Sequence, residues 1–204
     1  MKYYSIRWKN GDTVIVHDTW DNVKDRVIGV SGVTYKGHLK REDAEAWLNQ
    51  APIPYRKVGD SYKKDTLYLF VDGSFSPKRN VSGWGWVAVL NDKKIAEGYG
   101  VIHDVVTSRN ICGELQATIE AVQWCLSYKD FPSTLAEKPV IVHDYSGIGN
   151  WALGYWSASK PVAVKYQNFM ASYAFLFNFE KVSGHKGIKW NEYADELTRK
   201  GYAA

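Results

Sequence analysis

The chain has 204 residues, 45% hydrophobic and 15% aromatic, enough to bury the core of one ordinary domain and of a small second one. No apolar run approaches membrane length, Met1-Lys2-Tyr3-Tyr4 does not open a signal peptide, and a net charge of +4 permits a nucleic-acid partner without demanding one. The only cysteines, Cys112 and Cys125, fall on one expected helix roughly 20 Å apart, too far for a mutual disulfide, so a soluble chain in a reducing cytoplasm is expected.

Residues 1 to about 50 read as a separate small unit. Tyr3, Ser5 and Arg7 alternate with Tyr4, Ile6 and Trp8 as in a strand, Asn10-Gly11 offers a hairpin turn, and Thr13 to Val16 a second strand. Asp18 to Asp21 are suited to cap a helix over Val23 to Ile28, ended by Gly29 and Gly32. Val33 to Tyr35 is a third strand and Arg41 to Leu48 a second helix, too little chain for an ordinary enzyme core. Trp20, Tyr35 and Lys36, with other basic residues around them, combine aromatic surface and positive charge as nucleic-acid binders do; the same composition also suits a small aromatic core with solubilising charges.

Residues 51–65, with two prolines and no periodicity, read as a linker, and the second domain is expected over residues 66–204. Leu67 to Val71 is short, apolar and β-prone, a strand buried on both faces that delivers Asp72 to its carboxyl end. Taken alone, Asp72-Gly73 is also a turn signal. Gly83 to Leu90 and Lys93 to Tyr99, joined by Asn91-Asp92, complete an antiparallel meander. Ile111, Leu115, Thr118, Ile119, Val122 and Leu126 form one helical stripe, and Glu114 lies about 40° from Thr118, at the edge of the buried face.

Pro139 to His143 is a second apolar strand running into an acid, Asp144, and after a helical crossover it should pair parallel with the first, bringing Asp72 and Asp144 to one sheet edge. Helices over Gly147 to Leu153 and Val162 to Ala174, a strand over Phe175 to Val182, the loop Ser183 to Gly187 with His185, and a helix over Asn191 to Lys200 carrying Asp195 close the chain. Asp72, Glu114, Asp144 and Asp195 thus each adjoin an apolar surface. Carboxylates crowded there need counter-charge, and all-oxygen ligation suits two Mg²⁺ ions on a scissile phosphate, with Mn²⁺ as a substitute; no Cys/His spacing for zinc is present.

The blocks VDGS, RNICGELQA, VHDYSGI and SGHKGIKWNEYAD, spread over residues 67 to 204, resemble the successive active-site blocks of type 1 ribonuclease H. The run TWDNVKDRVIGVSGVTYK followed by EDAEAWL is similar to the hybrid-binding, viroplasmin-like (caulimovirus-type) domain at the amino end of many of those enzymes. The resemblance implies an α/β fold, a ribonuclease H-like mixed five-stranded sheet flanked by helices and preceded by a small three-stranded α+β hybrid-binding domain. It also implies hydrolysis of the RNA strand of RNA/DNA hybrids by two metal ions, leaving 5′-phosphate and 3′-hydroxyl ends. On that likeness Asp72, Glu114, Asp144 and Asp195 fall on the metal-binding acids, and His185 on a mobile-loop histidine that assists proton transfer or product departure. Gly73, Ser74, Arg109, Asn110 and Gln116 fall on the substrate groove, and Trp20, Tyr35 and Lys36 on the amino-terminal grip, for which double-stranded RNA is a second ligand. No membrane partner is implied, and a monomer is expected. The chain departs from the family pattern at Gly37, where a second lysine often stands, at Arg109, often threonine, and at Tyr145 to Ile148 after Asp144. The short segment from Trp151 to Tyr166 carries only Lys160 and Lys165, which assigns the missing basic grip to the amino-terminal module. Two rivals remain beside this reading, a non-catalytic hybrid-binding protein and a DNA-directed nuclease of the same fold.

Overall fold

Two units with separate apolar interiors, Met1–Pro52 and Ile53–Ala204, make up the chain in a computed structural model that describes residues 1–103, 108–128, 135 and 137–203. In the first, β1 (Lys2–Arg7) lies between β2 (Thr13–Asp18) and β3 (Thr34–His38), antiparallel to both. Tyr4 and Ile6 pack on Val23 and Val27 on one face. On the other, Ser5 Oγ donates to the Ala44 carbonyl of α2 (Arg41–Leu48) at 2.8 Å, and Arg7 donates to the Leu48 and Gln50 carbonyls at 2.7 and 2.5 Å. A buried arginine thus satisfies carbonyls at a helix carboxyl end, where the helix dipole favours a cation.

The helix expected over Val23 to Ile28 is reduced to one turn, α1 (Trp20–Val23), and a 3₁₀ turn at Lys24–Arg26. Only Val23 and Val27 of this stretch are buried, so little packing supports a longer helix. Nor does Thr19 cap it; Asp18 Oδ1 accepts from Thr19 N and Asn22 Nδ2 instead.

The second unit is a five-stranded sheet in the order β6-β5-β4-β7-β8. Strands β4 (Leu67–Ser76), β5 (Val81–Leu90) and β6 (Lys93–Ile102) form the expected meander, and β7 (Val140–His143) and β8 (Asn178–Lys181) run parallel to β4. Asn91 and Asp92 both take positive φ, 52° and 56°, as a two-residue hairpin turn requires. Leu67, Leu69 and Val71 face a cluster built with α3 (Arg109–Ser127), α4 (Gly147–Ala152) and α5 (Pro161–Ala171), whereas Tyr68 and Phe70 face α6 (Lys189–Ala203). Burial on both faces is what the unbroken apolar run of β4 required. Cys112 and Cys125 of α3 are not joined by a disulfide, and among the described residues no helix is long and apolar enough to cross a membrane.

Two expectations need correction. The first strand does not end at Asp72: β4 continues through Asp72 and Gly73, paired with Gly85 and Trp84 of β5, and the chain turns only at residues 77–80. What ends is the other neighbour, since β7 pairs only with Tyr68 to Phe70, leaving that side of β4 open at Asp72. Nor is 51–65 a free linker. From Ile53 onward it belongs to the second unit, where Arg56 is buried and Tyr62 packs edge-on against Tyr68. Buried Arg56 and its half-buried partner Glu180 form the kind of charge pair that a composition-based reading of linkers overlooks.

Close backbone approach, and not turn chemistry, explains the glycines of β4 and β5. A Cβ on Gly73 would stand 2.1 Å from Glu114 N, one on Gly113 2.2 Å from Gly83 O, and one on Gly85 2.7 Å from Ala194 O. These contacts seat α3 and α6 against the sheet. Gly73→Ala is therefore expected to destabilise by about 1–3 kcal/mol through overpacking. Urea unfolding of the parent and the variant measures the difference.

Candidate active site

Asp72 projects from β4, Glu114 from the second turn of α3, and Asp144 from the turn that follows β7. One carboxylate oxygen of each lies within 4.8 Å of the others. Asp72 and Glu114 are only 5% and 4% exposed, and Glu114 Oε2 has no hydrogen-bond partner. The strand-to-helix contact at Gly73 is what drives Glu114 into this position, because α3 cannot lie this close to β4 over any side chain. Asp144 is accommodated similarly, since a Cβ on Gly184 would stand 2.5 Å from Asp144 Oδ2.

Burial first, then the neighbouring Asp144 and Asp195 charges, push the Asp72 carboxyl up to about 8. Glu114 is raised well above the ordinary range by burial and by Asp72 and Asp144. Burial raises Asp144 as well, against the opposing charges of Lys181 and His185. An arrangement this unfavourable for ionised groups matches a cation site: three oxygen ligands, no thiolate or imidazole among them, and an unpartnered buried oxygen.

Asp195, on α6, stands outside this closest group but its charge is felt by both Asp72 and Asp144. Its side chain is 15% exposed, pairs with Arg199 one turn along, and has His185 Nδ1 at 3.9 Å. His185, with φ 51°, is 76% exposed on its loop.

The expected substrate residues fall in two places. Gly73 and Ser74 line β4 beside the start of α3; Ser74 Oγ shares a 3.1 Å hydrogen bond with Tyr202 OH. Arg109 and Asn110 are exposed in the first turn of α3, with the Arg109 guanidinium 5.4 Å from the Phe75 ring centre, and Gln116 Nε2 donates to Glu120 Oε1 at 2.8 Å. Trp20, Tyr35 and Lys36 belong to the first unit, where Trp20 is 36% exposed and stacked on Tyr35 with ring centres 5.5 Å apart. Gly37 lets the Tyr4 ring come close, for a Cβ there would lie 3.0 Å from Tyr4 Cε1. Tyr4 in turn lies against Trp20 at 5.8 Å.

Sequence reasoning missed the groups behind the acids. Arg199 was accessible through its i,i+4 spacing to Asp195. Lys181, whose Nζ donates to the Asp144 carbonyl at 2.5 Å, and Tyr202 have no such local signal.

Residues 64–203 match the family model RNase H, and residues 2–48 match the Ribonuclease H1 N-terminal domain. A ribonuclease H of Mycolicibacterium smegmatis is 32% identical over 155 residues, covering 68% of this chain and 88% of that one. One from Francisella tularensis subsp. novicida is 28% identical over 148 residues, 69% of this chain and 93% of its own. Among solved structures, ribonuclease H1 of the archaeon Halobacterium salinarum superposes with a TM-score of 0.51 at 20% identity, over 67% of this chain and 96% of that one. LC11-RNase H1 in complex with an RNA/DNA hybrid gives 0.50 at 16% identity, over 66% and 98%. These two likenesses speak to the fold.

The raised Asp72 carboxyl has a thermodynamic consequence. A folded-state value near 8 against an unfolded 3.8 stabilises the protonated folded form, and that contribution disappears as pH rises through about 8. Added Mg²⁺ should therefore raise the melting temperature strongly at about pH 8.5 and little at about pH 5, where Asp72 already holds a proton. Thermal melts across a Mg²⁺ series at both pH values test this; equal shifts would contradict a cation site at these carboxylates.

Proposed function

The chain belongs to the ribonuclease H family of hydrolases, and from that premise we propose that it cuts the RNA strand of RNA/DNA hybrids at Asp72, Glu114, Asp144 and Asp195. The observation that carries this reading is the group of three carboxylates within 4.8 Å, two of them buried and the third half-buried, too crowded to remain ionised without cations. Two divalent ions held there, Mg²⁺ or Mn²⁺, would neutralise the acids, polarise the scissile phosphate and ready a water for attack, leaving 5′-phosphate and 3′-hydroxyl ends.

The chain's own groups divide the remaining tasks. Asp72 and Glu114 form a dry floor fixed by β4 and α3, and Asp144 and Asp195 form its wetter rim. At that rim His185 is exposed enough to exchange protons with water, which suits a carrier that serves the leaving group or product departure. Gly73, against which the Asn110 carbonyl of α3 lies, and Ser74 offer small polar groups for sensing a 2′-hydroxyl together with Gln116 of the same helix, and Tyr202 orients the Ser74 hydroxyl. Arg109 supplies a cation where the phosphate of the DNA strand would run, steadied over Phe75. In the first unit the Trp20–Tyr35 stack presents an aromatic face for sugars, and Lys36, on the same strand as Tyr35, a phosphate contact.

Incubation with a labelled hybrid, with and without Mg²⁺, tests the assignment directly, and duplex DNA as a parallel substrate separates it from DNA-directed cleavage. Asp144→Asn preserves shape but removes a needed charge, so cleavage should fall by more than about 1,000-fold with hybrid affinity largely kept. His185→Ala should slow cleavage by no more than about 100-fold, measured in the same single-turnover assay.

The amino-terminal unit generates a separate expectation. Trp20→Ala with Lys36→Ala should weaken hybrid affinity by about 1–3 kcal/mol for the lost stack and lower the salt slope by about one for the lost phosphate contact. The single-turnover rate at saturating hybrid should not change, because all four acids lie in the other unit. Affinity titrations over a salt series, beside single-turnover cleavage, measure both quantities.

A further inference from the structure

Residues between 48 and 64 fall outside both family matches, yet part of that segment is bonded to the strand next to the acids. Lys181 N donates to the Pro54 carbonyl and Arg56 N to the Lys181 carbonyl, both at 2.8 Å, and Tyr55 pairs in parallel with Lys181. Arg56 is 6% exposed; its Nε donates to Glu180 Oε2 at 2.6 Å, its Nη1 reaches the Asp60 and Ser61 carbonyls, and its guanidinium lies over the rings of Tyr62 and Tyr68. This strap covers the outer edge of β8, which would otherwise expose unpaired backbone groups.

The inner edge of β8 leads to the site. His143 of β7 is in register with Lys181, Val182 N donates to the His143 carbonyl at 2.9 Å, and Lys181 Nζ donates to the carbonyl of Asp144 at 2.5 Å. Lys181 is therefore held through its backbone by the strap, while its side chain holds the turn that carries Asp144.

We infer that Lys181 is a positioning residue for the acid cluster, and that the strap Pro54–Arg56, pinned by the Arg56–Glu180 pair, keeps Lys181 in place. The inference rests on reading Asp72, Glu114 and Asp144 as a divalent-cation site. A hydrogen-bonded partner behind a metal ligand restricts where the ligand points, and loss of such partners reduces metal affinity or turnover by about 10–100-fold. Lys181 acts on the ligand through its main chain, so its loss should loosen the turn without touching the hybrid.

The test uses the full chain with Lys181→Met, Lys181→Arg and Arg56→Met. Three quantities are measured: the single-turnover cleavage rate at saturating hybrid, hybrid affinity, and the Mg²⁺ concentration giving half of the thermal shift without hybrid. Lys181→Met should slow cleavage by about 10–100-fold and raise the Mg²⁺ midpoint about tenfold, with hybrid affinity within about twofold of the parent. Lys181→Arg, which keeps a charged donor, should recover most of both losses, and Arg56→Met should shift both in the same direction as Lys181→Met by up to about tenfold. A lower melting temperature for Lys181→Met with rate and Mg²⁺ midpoint unchanged would overturn the positioning role, leaving Lys181 purely structural. The same pattern in Arg56→Met would overturn the role of the strap. Should Lys181→Met fail to fold, Lys181→Gln, which keeps an N–H donor on a shorter stem, is judged by the same readouts. A parent chain with neither cleavage nor a Mg²⁺ shift would refute the cation site itself; a responsive parent whose variants keep its rate and Mg²⁺ midpoint refutes only this inference.

Discussion

Holding carboxylates together in a place nearly free of water is the constraint on which the second unit is built. Left to themselves Asp72, Glu114 and Asp144 would protonate or move apart, as the raised Asp72 carboxyl indicates. Backbone contact keeps them in place. Gly73 on Gly113 and Glu114, and Gly83 and Gly85 on α6, bring two helices onto the sheet at distances that leave no room for a Cβ. The unfavourable electrostatics of the site are thus offset by the packing of the apolar faces of β4, α3 and α6 around it.

That packing also explains why the acids differ in character. Asp72 and Glu114 sit where strand and helix touch, and are almost wholly buried. Asp144 and Asp195 emerge where a strand has ended and where α6 meets the His185 loop, and each has a cationic neighbour, Lys181 or Arg199. The dry pair is placed by backbone contact and the wetter pair by side-chain charges, so substitutions near the wetter pair have more latitude to alter chemistry without unfolding the protein.

The first unit meets a different requirement. With so few residues it cannot bury much apolar area, and it compensates with polar ties: Ser5 and Arg7 bond the backbone of α2 and of Gln50, under the ring of Trp47. This arrangement leaves Trp20 only partly used by the core. Core packing and aromatic display, which looked like alternatives from composition, are shared within one stack, since Tyr4 supports Trp20 and Trp20 covers Tyr35.

Much of this was legible in the residues, because periodicity and turn chemistry are local. The apolar run Leu67 to Val71 marked a strand buried on both faces, the stripe from Ile111 to Leu126 marked α3, and apolar runs ending in acids marked Asp72 and Asp144. Tertiary structure alone decided the rest. Asp72-Gly73 continues a strand and does not turn because Gly85 and Trp84, more than ten residues away, complete its ladder. The proline-bearing segment after Pro52 is a strap and not a spacer because Lys181, far along the chain, bonds its backbone. Glu114 is buried, with Oε2 left without a hydrogen-bond partner, because a glycine on another element lets α3 come close enough. Each of these depends on which distant groups satisfy a backbone bond or exclude a side chain, and no window of neighbouring residues contains that information.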